Sequence, residues 1–117
     1  PTADIEIIEI HHNQKLDVPS GTALLLARAV QSVRPGSTLL IGRHENGKRT
    51  AQEIGVHSIR LGNEVGTHEI LISTGNEVLT LKHEAKSRAL FADGALAAAA
   101  WLLGKPAGLY GMQDMMV

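Results

Sequence analysis

Between positions 9 and 30 the chain reads EIHHNQKLDVPSGTALLLARAV, and the groups able to do chemistry crowd into its first half. His11 and His12 are adjacent, Lys15 follows, and Ser20-Gly21-Thr22 lead into an apolar helical pattern. If Ser20 caps that helix, the N–H groups of Gly21, Thr22 and Ala23 emerge from its first turn without intrahelical partners. Thr22, Ala23 and Leu24 bring no acidic side chain to fill the place, and no Glu or Gln stands at the capping-box position. Free donors, a positive dipole end and two hydroxyls suit an incoming carboxylate or phosphate, and Gly21 lets it approach the backbone closely. Lys15 can add a point charge. In extended geometry the two histidines point to opposite sides. One could then serve a ligand as a proton donor while the other orients the ligand or braces the loop. Ser-Gly-Thr is also a common helix start, and histidine pairs at strand ends are often only solvated. The combination within a dozen residues is what favours an anion site.

The elements that must position these groups follow from periodicity. DIEIIEIHH, at 4–12, alternates and then carries paired isoleucines, a strand ending near His11. Pro19 holds Val18 extended, and Ala23, Leu24, Ala27 and Val30 give a helix running to about Val33. RPGS ends it, TLLI at 38–41 is a short strand, and GRHENGKRTAQEIG reads as a surface loop. VHSIRL at 56–61 reads as a strand, and THEILIST and EVLTLKHEA, joined by Gly75-Asn76, as a hairpin. Ile70, Ile72 and Val78 are assigned to one of its faces, and Leu71, Leu79 and Leu81 to the other. Apolar on both sides, it must be covered twice: one helix on one face and, most simply, a neighbouring subunit on the other. A polar but buried ligand site is the competing explanation. SRALFADGALAAAAWLLGKPAG is an alanine-rich helix with Asp93-Gly94 as a soft interruption and Gly104 as its stop.

The 117 residues make one modest domain, and a formal net charge of −1 gives no footprint for nucleic acid or an anionic membrane. Cysteine is absent, which excludes disulfides and thiolate zinc sites; a reducing cytosol is the default compartment. No apolar run is long enough to span a bilayer. The start at Pro1 points to a piece of a longer chain. All three aromatic residues fall in the last 27 positions, so the core of the first 85 residues should be aliphatic. GRHENGK spells the opening of a phosphate-binding P-loop, but Arg49 stands where Ser or Thr should hold magnesium and no long helix follows, so it is read as a charged loop. Six histidines occur without a helical His-x-x-x-His pair beside a carboxylate, so no metal site is expected. RLGNEVGTHE is read as a glycine-rich strand connection. KHEAKSRALF is a basic cluster, either a solvated helix start or a contact to a phosphate-bearing cofactor.

EIHHNQKLDVPSGTA closely resembles the E-x-H-H-x-x-K-x-D-[AV]-P-S-G-T-A segment of the dihydrodipicolinate reductase family of the diaminopimelate route to lysine. SIRLGNEVGTHE is similar to its R-x-G-x-x-x-G-x-H stretch, and LKHEAKSRALFADGALAAAAWLLGKPAGLYGMQDM to its closing helix and tail. The family's G-x-G-x-x-G fingerprint does not occur, so the resemblance is to the C-terminal substrate-binding and tetramerisation domain without the N-terminal nucleotide-binding domain. It implies an α+β fold: a mixed sheet of about four strands, helices on one face, the other face packing in a homotetramer. Residues 1–86 would bind substrate and oligomerise, and residues 87–117 would form a closing helix and tail that packs on the nucleotide domain. The implied reaction is hydride transfer from NADH or NADPH to a cyclic dicarboxylate, with no cofactor expected on these residues. His11 would protonate the ring carbon made basic by the hydride, and Lys15 would balance the developing negative charge. His12, Ser20, Gly21 and Thr22 would hold a substrate carboxylate, and Arg88 and Phe91 would lie near the hinge and cofactor. A cytoplasmic location is implied, without nucleic-acid or membrane partners. The rival reading is a self-associating structural or regulatory domain that has kept the sheet and lost the chemistry.

Overall fold

The computed structural model describes residues 2–116, in two compact units that divide between Ala85 and Lys86. The first is a mixed five-stranded sheet with one helix: β1 (Asp4–His11), α1 (Gly21–Val33), β2 (Thr38–Ile41), β3 (Glu53–Arg60), β4 (Gly66–Ser73) and β5 (Val78–Ala85). Strand order is β2-β3-β1-β4-β5, the five strands read from the sequence pattern, where the resemblance implied about four. β1, β2 and β3 run parallel, while β4 and β5 pair antiparallel beside β1.

Strand alternation sends Ile5, Ile7, Glu9 and His11 to one face, where Ile54 and Val56 of β3 and Ile70 and Ile72 of β4 join them. α1 lies on that face through Ala23 and Ala27, both fully buried. Their methyl-sized side chains let the helix approach the isoleucines closely. The core (Ile5, Ile7, Ala23, Ala27, Ile54, Val56) is wholly aliphatic, as expected from the placement of the aromatics.

Three local readings change. β3 begins at Glu53 rather than Val56, because the polar stretch before it pairs with β2 from Thr38↔Glu53 onward. The hairpin turn, closed by Thr74 N–H donating to Glu77 C=O at 3.1 Å, sets Ser73 opposite Val78. Leu79 and Leu81 therefore share the helix-side face with Ile72 and Ile70, and Val78 stands on the far face with Leu71, the reverse of the expected parity. In the second unit α2 (Ala89–Leu102) runs through Gly94 without a break, and Gly104, at φ 82°, follows its end. A short α3 (Met112–Met115) lies beyond. There Trp101 meets Tyr110 edge-on at 5.6 Å and carries Lys105 above its ring at 4.6 Å.

On the sheet face away from α1, Glu6 accepts hydrogen bonds from Gly55 N–H (2.6 Å), Arg43 (3.1 Å) and Arg49 (3.3 Å), with His57 Nε2 at 3.2 Å. A side chain on Gly55 would collide with the Glu6 carboxyl group, which four partners hold in place. Gly55→Ala is therefore expected to destabilise the fold by about 1–3 kcal/mol, although alanine normally suits a strand better than glycine. Urea unfolding followed by circular dichroism checks this, and an unchanged or raised midpoint would contradict it.

Candidate active site

Parallel strands β1 and β3 both end, and α1 begins, at one edge of the sheet, where ligands of open α/β sheets commonly sit. The connection of residues 12–20 is bound to the strand ends beneath it. Leu61 N–H donates to His11 C=O (2.9 Å), Asn13 N–H to Gly62 C=O (3.0 Å), and Arg60 Nη2 to Asp17 C=O (2.8 Å). The Val18–Pro19 peptide within it is cis.

Glu9 is the hub of the site. Its carboxylate is fully buried and accepts from the Ser20 N–H at 2.5 Å and from the Arg60 guanidinium on both oxygens, with His11 Nδ1 at 3.1 Å from Oε1. Burial alone would raise its pKa. The bonds from Arg60, His11 and Ser20 outweigh burial and hold it below the usual carboxylate range. The charge on Glu9 thus fixes three things together: the start of α1, the end of β3 and the ring of His11. The His11 ring also needs Gly66, where a Cβ would come within 3.1 Å of Nε2.

Ser20 is the N-cap of α1, its hydroxyl oxygen accepting from Ala23 N–H at 3.2 Å. The same oxygen lies 3.0 Å from His68 Nε2, and the His68 ring meets His11 edge-on at 5.2 Å. Burial first, then the charge of His11, holds the His68 pKa below the ordinary imidazole value, against the opposing pull of Glu9. With Ala23 N–H occupied, the free donors of the first turn are two rather than three. Gly21 N–H and Thr22 N–H have no acceptor among the described residues, and open space lies where a Gly21 side chain would be. No acidic residue fills the first turn. A groove of about 330 Å³ adjoins, lined in part by Thr22, Leu26, His68 and Ile70. Lys15 pairs with Asp17 at 2.9 Å, and its charge reaches His68. Asp17 is largely exposed and Lys15 partly buried, so water screens this ion pair from the Asp17 side.

The structure thus gathers His11, Ser20, Gly21 and Thr22 at one strand–helix junction, with Lys15 within electrostatic reach. His12 stands apart from the Glu9 network, its Nδ1 accepting from Gln14 N–H at 3.3 Å. Arg88 and Phe91 belong to the second unit, at the cap and in the first turn of α2. Sequence reasoning gave no role to Glu9 and read the stretch holding Arg60 and His68 as a plain strand connection. The available signal was parity: Glu9 shares the alternation of Ile5 and Ile7, which puts a carboxylate on the buried face. Among the described residues no cluster of side chains has the makings of a metal site, and no helix is long and apolar enough to cross a membrane.

Comparison with known proteins identifies the family. A family model described as dihydrodipicolinate reductase, C-terminus, matches residues 1–116. The chain is 51% identical over 114 residues to a 4-hydroxy-tetrahydrodipicolinate reductase of Clostridium tetani (strain Massachusetts / E88), covering 97% of this chain and 45% of that protein. It is 49% identical over 117 residues to the enzyme of the same name from Gluconobacter oxydans (strain 621H), covering 99% and 47%. The solved structure of a dipicolinate-bound dihydrodipicolinate reductase from Paenisporosarcina sp. TG-14 superposes with a TM-score of 0.73 at 32% identity, over 95% of this chain and 44% of that one. The chain spans less than half the length of these relatives. From β1 through the closing helices, it belongs to the C-terminal domain family of dihydrodipicolinate reductases.

Proposed function

We propose that this chain is the substrate-binding and self-associating part of an NADH- or NADPH-dependent reductase acting on a cyclic dicarboxylate, dihydrodipicolinate, in the cytoplasmic diaminopimelate route to lysine. The observation that carries the reading is the pair of unpaired N–H groups of Gly21 and Thr22, beside the Ser20 hydroxyl and under open space. A relative of the same fold is described as dipicolinate-bound, which supports a small flat dicarboxylate as the ligand. One carboxylate would rest on Gly21, Thr22 and Ser20, where the helix dipole and charge-assisted hydrogen bonds favour it. Lys15 would leave Asp17 to balance charge on the ligand, and His12 would close on it from the loop.

His11 is placed to hold and release a proton. With Nδ1–H directed at Glu9, Nε2 is the nitrogen that takes up and gives up a proton, and we assign it proton delivery to the substrate ring. The described residues do not fit a dinucleotide. The turn between β1 and α1 offers the single Gly21, on open ground, where a pyrophosphate fingerprint needs three glycines. The roles assigned to this chain are therefore carboxylate binding, charge compensation and proton supply, and the nicotinamide cofactor supplies the hydride. Residues 1–86 carry the substrate site and the self-association in this reading. The exposed Val78 of β5 and Ile59 of β3, on the face away from α1, supply apolar surface for a homotetramer. Residues 87–117, with Arg88 and Phe91, form the closing element toward the cofactor.

Calorimetric titration of this chain with pyridine-2,6-dicarboxylate tests the proposal. Saturable binding is expected, with Lys15→Ala weakening it about tenfold, the size of one bond to a charged group. A folded chain that shows no saturable binding, or binding indifferent to Lys15→Ala, would favour the non-catalytic self-associating domain instead.

A further inference from the structure

A serine hydroxyl has two acceptor positions and one proton to give. At Ser20 one acceptor position is filled by Ala23 N–H, and His68 Nε2 stands 3.0 Å from the same oxygen. Two arrangements are open. If the serine donates to His68, no proton remains for a ligand, and the oxygen turns a lone pair toward the space over Gly21. If His68 donates from Nε2, both acceptor positions are filled, and the hydroxyl proton is free to point at an anion beside the N–H groups of Gly21 and Thr22. An anion there selects the second arrangement, because a bond to a charged acceptor is roughly twice as strong as a neutral one.

We propose that His68 is a positioning residue, which donates from Nε2 to the Ser20 hydroxyl oxygen and thereby aims the hydroxyl proton at the ligand carboxylate. This rests on the carboxylate-binding reading above. His68 is suited to the task because burial, aided by the charge of His11, keeps its ring neutral, with one ring proton to place. β4 holds it directly opposite Glu9 on β1 and His83 on β5, so strand pairing fixes its ring over the junction. The interaction joins residues 48 apart in sequence, which ties the carboxylate cradle to the sheet rather than to its own loop.

The test is a double-mutant cycle in the same titration with pyridine-2,6-dicarboxylate. Ser20→Ala and His68→Leu should each weaken binding about tenfold, and the double variant by about tenfold rather than a hundredfold, since both remove one hydrogen bond. His68→Gln, which keeps an N–H donor at similar reach, should bind within about threefold of the parent chain. A His68 that acted only by packing would show the opposite pattern, with the glutamine variant impaired and the two losses multiplying; that result overturns the inference. So does His68→Leu binding as tightly as the parent. If the parent chain itself fails to bind, the functional reading falls and this inference with it. If the parent binds and Lys15→Ala weakens it while His68→Leu does not, only the inference falls.

Discussion

Glu9→Ala is expected to cost about 3–5 kcal/mol of stability, the range found when one partner of a buried ion pair is removed. The carboxylate is fully buried, and without it the Arg60 guanidinium (side chain 19% exposed), the Ser20 N–H and His11 Nδ1 lose their shared acceptor. The penalty comes from what is left behind rather than from the attraction that is lost. The double variant Glu9→Leu/Arg60→Met separates the two. Replacing a whole buried pair by apolar residues is often close to neutral, so the double variant should recover most of the loss. It should nevertheless bind pyridine-2,6-dicarboxylate poorly, because neither the start of α1 nor the His11 ring is then held. Urea unfolding at one fixed protein concentration measures the stability terms, with concentration held because self-association adds its own stabilisation. A Glu9→Ala cost below about 1 kcal/mol, the size of an exposed contact, would show that the cluster does not organise this end of the sheet.

That cluster also marks where sequence reasoning reaches its limit. His11, Lys15, Ser20, Gly21 and Thr22 are legible because they are local: one strand end, one loop and one helix start bring them together whatever the rest does. Arg60 and His68 reach the same point only because β1 pairs with β3 on one side and β4 on the other, and no local pattern encodes that arrangement. The start of β3 was hidden for a related reason. Gly55 looks like loop punctuation, yet it is a strand glycine whose missing side chain makes room for Glu6 of the neighbouring strand. The hairpin strands were legible and their relative parity was not, because a shift of one residue at the turn exchanges the faces. Gly94 misled in the other direction. A glycine costs a helix about 1 kcal/mol relative to alanine, too little to interrupt the alanine-rich run around it.

Stability should fall in two stages as the solution is acidified. The second is the larger: the first belongs to the face beneath α1, and the second draws on both faces of the first unit. His68 is held below its ordinary pKa of 6.5, so the unfolded chain binds its proton more readily, and stability declines as pH drops below about that value. The steeper stage comes from Glu9 beneath α1 and Glu6 on the opposite face. Burial raises the Glu6 pKa, but the bonds from His57, Arg43 and Gly55 N–H and the charge of Arg49 outweigh it, so both carboxylates lie below their ordinary 4.5. Depressed folded-state values mean that their contribution is complete above the ordinary value and is lost as pH falls through the folded ones. Each proton taken up on unfolding steepens the loss by up to about 1.4 kcal/mol per pH unit, so the two together approach twice that slope. Urea midpoints measured from pH 7.5 to 3 should show a shallow decline and then a steep one. His68→Gln should flatten the first stage and leave the second in place. Glu6→Gln should make the second shallower while leaving pyridine-2,6-dicarboxylate binding at neutral pH unchanged, because Glu6 faces away from the site. A single-stage profile that neither substitution alters would place the acid sensitivity of the fold elsewhere. A loss of ligand binding in Glu6→Gln would show that the two faces of the sheet are coupled through β1.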